Sequence, residues 1–241
     1  MGTIEAIGIA LVVGAGAGAL GLWFRGSVIA GRWVAAAPCA LPVAERRPPP
    51  ALRLAPAAWP SATGAGAAVV TLALLVGRHE HFAAGFALSW ATAGLVVWAC
   101  GLSLLALVDQ ETLMLPSKLV RSCAFATTGL LLVSAVTGSW RYVGRGAACA
   151  LAGYVVFGTW AVLRPQSLGF GDARMASLVA LGAGALSAQA CLVALVTAPV
   201  LAASVPIFGR KLYKTRPTGH PVALGPFLAA GGIVAVVVSA I

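Results

Sequence analysis

Long stretches of this chain carry no charge at all, and that pattern restricts the fold more than any motif does. Cutting the sequence wherever charge, proline or polar clusters interrupt the apolar runs leaves about eight segments of roughly 15 to 27 residues, the length of a bilayer-crossing helix. With 60% hydrophobic and 9% charged residues over 241 positions, a water-exposed surface could not be covered. The runs are rich in Leu, Ala, Val and Gly and lack the two-residue alternation of strands, so they read as helices rather than a barrel. The expected fold class is an all-α polytopic membrane protein of about eight transmembrane helices, forming a single membrane-embedded domain over residues 1–241.

The net charge of +10 invites a nucleic-acid reading until the basic positions are placed on this pattern. With the N-terminus outside and the chain crossing at each apolar segment, all Lys and Arg except Arg78, Arg141 and Arg145 fall on the inside. The charge is thus a topology signal, and no nucleic-acid partner is expected. The first apolar run, 6–24, follows Glu5 and ends at Arg25 without a small-x-small cleavage site, which reads as an uncleaved anchor. Residues 25–62, with seven prolines and Arg25, Arg32, Arg46, Arg47 and Arg53, read as a short, extended cytosolic loop. Further apolar segments are expected at 63–77, 82–108, 118–137, 145–163, 172–186, 188–208 and 226–241. Five cysteines stand singly, and His79 with His81 makes a short polar turn rather than a metal clip, so no metal or other cofactor is expected.

Against this hydrocarbon background only two aspartates occur. Asp109 ends the 82–108 run, and Asp172 follows Gly169-Phe170-Gly171 at the start of the 172–186 run. A carboxylate in or near hydrocarbon is costly unless solvated, paired or protonated, so each is a candidate functional group. The first segment runs inward and the second outward, which brings both carboxylates to the cytosolic edge. Two carboxyl groups close enough to share a proton can divide the work of peptide hydrolysis: one takes a proton from the attacking water while the other donates to the oxyanion or leaving amine. Helix polarity favours Asp172, at a helix N-terminus, as the anion and Asp109, at a helix C-terminus, as the acid. Gly169 and Gly171 would let the backbone turn tightly and approach a bound peptide.

At these residues the chain resembles bacterial prepilin peptidases, membrane aspartyl proteases of the GxGD type. The resemblance rests on Asp109 with Leu115-Pro116 after it, on Gly169-Phe170-Gly171-Asp172, and on Gly225-Pro226-Phe227-Leu228-Ala229. The order of all the apolar segments agrees as well, so the likeness covers nearly the whole chain. It implies an endopeptidase in the bacterial cytoplasmic membrane with its active site facing the cytosol. Its partner would be a pilin-like precursor, from which it removes a short basic leader beside a hydrophobic helix. Asp109 and Asp172 would be the catalytic pair, with Gly169, Gly171, Arg174 and Pro116 supporting the active-site loop. Arg174 stands where the family usually has lysine, and the first loop has only Cys39 where longer relatives carry two zinc-binding C-x-x-C pairs. N-methyltransferase activity is therefore not expected. Two other readings use the same carboxylates: a proton- or cation-coupled transporter, which calls for mid-span acids and internal symmetry, and an inactive structural homologue in which the aspartates cap helices or pair with Arg174 and Lys118.

Overall fold

The computed structural model describes residues 15, 86–112, 115, 117–137, 140–164, 168–208 and 224–240. Regular structure there consists of α-helices: α1 (Phe86–Thr112), α2 (Ser117–Thr137), α3 (Trp140–Leu163), α4 (Phe170–Leu186), α5 (Ala188–Phe208) and α6 (Gly225–Ala240). Among the described residues no strand occurs. The segments expected at 6–24 and 63–77, the loop 25–62, the histidine turn and Pro116 lie outside the described residues.

Among the described residues, three helical stretches are long and apolar enough to cross a membrane: Trp90–Gln110, Ser117–Val136 and Trp140–Leu163. Ala188–Ser204 and Gly225–Ser239 are apolar but shorter. Two boundaries differ from the sequence expectation in ways that matter. Helix α1 continues to Thr112, because Gln110-Glu111-Thr112 contains no helix breaker, so Asp109 sits within its last turn rather than at its final residue. Helix α3 begins at Trp140 rather than 145, which turns Arg141 from a loop residue into a helical one and moves Arg145 from the first residue of the segment into the second turn.

The bundle is built around α4. Every residue from Met175 to Leu186 except Ser177 is buried, the signature of a helix apolar on all sides and enclosed by others. Its core partners include Leu95, Trp98, Leu102 and Leu105 of α1 and Leu228 and Val236 of α6. The Trp98 indole N–H donates to the Leu178 carbonyl at 2.7 Å. Its ring occupies the place a side chain at position 182 would need, so only glycine lets α1 pack this closely on α4. Ser177 Oγ donates to the Ala150 carbonyl of α3 at 2.9 Å, and the buried Tyr142 hydroxyl of α3 donates to Ser134 Oγ of α2 at 2.7 Å.

The far end of α4 is closed by a side chain from α3. Arg145 donates through Nε to the Gly184 carbonyl and through Nη2 to those of Ala185 and Leu186. These carbonyls belong to the last turn, where a helix leaves its acceptors unsatisfied and favours a cation. Ser187 alone then joins α4 to α5, its Oγ accepting the Ala190 amide at 2.9 Å. Large side chains such as Phe125, Leu151, Val155 and Trp160 point outward from α2 and α3. An apolar exterior of this kind is stable against lipid and a liability in water.

Candidate active site

Asp109 lies in the last turn of α1 and is only 5% exposed. Its Oδ2 accepts the Gly225 amide at 2.9 Å. The local sequence at the start of α6 explains why this donor is available. The Leu224 carbonyl takes the amides of Phe227 at 3.1 Å and Leu228 at 3.0 Å, Pro226 has no N–H, and the Gly225 amide is left without an intrahelical acceptor. A Cβ at position 225 would stand 2.6 Å from Asp109 Oδ2, so this contact requires glycine.

Asp172 is the third residue of α4 and half-buried. Its Oδ2 accepts the Gly169 amide at 3.1 Å, while its own amide donates to the Gly169 carbonyl at 3.1 Å. The exchange is one arm of a capping box and fixes the carboxylate over the helix start. Gly171 faces Leu115, whose Cβ lies 3.2 Å from where a side chain at 171 would begin. Leu115 packs against the main core and lies over the first turn of α4. The two aspartates thereby lie at the same end of the bundle.

Two expectations change at this point. The helix-polarity argument distinguished the aspartates by placing Asp109 at a helix C-terminus. Since its carboxylate also reaches the N-terminal amide of α6, both groups sit at helix N-termini and polarity no longer separates them. Arg174 is exposed and lines a groove between α2, α3 and α4, with no ion pair to either aspartate among the described residues. Lys118 makes none either. Sequence reasoning missed Gly225 as a site residue, although a Gly-Pro pair at a helix start was the signal for a spare amide. It also missed Arg145 and Trp98, whose partners lie 39 to 41 and 80 residues away in sequence.

The described hydrogen bonds to both carboxylates use Oδ2, which leaves each Oδ1 to address a third group such as a water or a peptide. Among the described residues no group of three or more His, Cys, Asp or Glu side chains could hold a metal ion. No protein-family model matches the chain, and neither a curated protein nor a solved structure matches it.

Proposed function

We propose that the protein is a membrane aspartyl endopeptidase of the prepilin-peptidase type, acting on pilin-like precursors at the cytosolic face of a bacterial cytoplasmic membrane. The observation that carries this reading is that the chain's only two aspartates lie at the same end of the bundle, each held by a backbone amide. In this reading one carboxylate removes a proton from a water as it attacks the scissile carbonyl. The other carboxyl donates its proton first to the developing oxyanion and then, through the collapsing intermediate, to the leaving amine. The pair ends with one proton between them, as it began. Neither a covalent intermediate nor a methyl donor is part of the proposal.

The topology that goes with it has eight crossings and an external N-terminus, so that the end bearing Asp109 and Asp172 faces the cytosol. A precursor's basic leader would remain in the cytosol and its hydrophobic helix in the bilayer, leaving the bond between them at the depth of the dyad.

One observation favours a second reading. Each aspartate also satisfies a helix N-terminus, which is what a purely structural aspartate would do. Co-expression with a pilin-like precursor separates the two. Asp109→Asn and Asp172→Asn keep a carbonyl oxygen for the amide and lose the proton chemistry. Leader removal by wild type and its loss in both variants, at unchanged protein level, is the expected result. Leader removal that persists in both would end the peptidase reading.

A further inference from the structure

Beside the aspartate site, and independent of what that site does, a cavity of about 550 Å³ opens between α2, α3 and α4. Its walls are mostly apolar, with Ala147 of α3 and Leu178 and Leu181 of α4 among them, beside the hydroxyl-bearing Thr128, Tyr154 and Ser177. Its charged lining is Arg121 of α2 and Arg174 of α4. Both are exposed, and each is the fifth residue of a helix that starts at the end of the bundle where the aspartates lie, so the two residues belong to one level. Among the described residues no acidic side chain lines the cavity and Arg174 has no hydrogen-bond or ion-pair partner.

We infer that this cavity binds one anionic phospholipid from the surrounding bilayer, its phosphate at Arg121 and Arg174 and an acyl chain along Leu178 and Leu181. Charge complementarity selects the headgroup, because guanidinium groups take phosphate through paired N–H donors and near an interface they attract anionic over neutral lipid. The cavity has room for a hydrocarbon chain beside the headgroup. Arginine stems can lie along the apolar wall while their heads reach the headgroup level.

The test is native mass spectrometry of the full chain released from nanodiscs of equal parts phosphatidylglycerol and phosphatidylcholine. Wild type should retain one phosphatidylglycerol in preference to phosphatidylcholine. Arg121→Gln and Arg174→Gln should each lower that retention roughly fivefold, and together bring it to the phosphatidylcholine level. Arg121→Lys should keep most of it, which separates loss of charge from loss of fold. Filling the cavity with Ala147→Phe should reduce retention of both lipids. Equal retention of the two lipids by wild type, unchanged retention in the double Gln variant, or a bound peptide in place of lipid would each overturn the inference.

Discussion

Asp109 and Asp172 are held by the same device, a carboxylate Oδ2 on a backbone amide at the start of a helix. The bond orients each group without consuming its acid–base capacity. Replacement by asparagine preserves the acceptor, so Asp109→Asn and Asp172→Asn should unfold within a few degrees of wild type while leader removal falls about 10²-fold or more, as followed by precursor mobility on gels. At the site itself, Gly225 is sensitive to a small change. Gly225→Ala puts a methyl group against Asp109 Oδ2 and should cost about 1–3 kcal/mol in thermal or denaturant unfolding, with activity lost as the carboxylate is displaced. An active, equally stable Gly225→Ala protein would show that the Gly225–Asp109 contact is not required.

At the scale of elements, α4 carries Asp172 at one end and accepts Arg145 at the other, so its position along the bundle is set from both ends. Arg145→Met keeps the aliphatic stem and removes the donors to three carbonyls. It should destabilise the protein by about 0.3–2 kcal/mol, measured by unfolding in detergent, and lower activity far less than either Asp variant. Trp98→Phe keeps the ring over Gly182 but loses the N–H to Leu178, at a cost of about 0.6–1.7 kcal/mol in the same measurement. Were Trp98→Phe as stable as wild type, packing alone would account for the α1–α4 contact.

For the whole molecule the proposed topology puts Lys118 and Gln189, both exposed, at opposite ends of the bundle and hence on opposite sides of the membrane. In a chain with its native cysteines replaced, Lys118→Cys and Gln189→Cys should react with an impermeant maleimide from different sides, Gln189→Cys in intact cells and Lys118→Cys only after permeabilisation. Labelling of both from one side would contradict the crossing pattern on which the cytosolic placement of the aspartates depends.

Much of this arrangement was legible in the chain because hydropathy and helix punctuation act locally. The apolar runs marked α5 and α6 to within about a residue, and the scarcity of acid singled out Asp109 and Asp172. Where signals were weak, as in Gln110-Glu111-Thr112 or Trp140 to Val143, the helices ran further than expected, since nothing in the sequence stopped them. Only the tertiary structure decided which amide holds Asp109, that Arg145 closes α4, and that Trp98 seats on Gly182. Those contacts join helices distant in sequence, and their energies depend on how close two backbones come, a quantity that no local run of residues encodes.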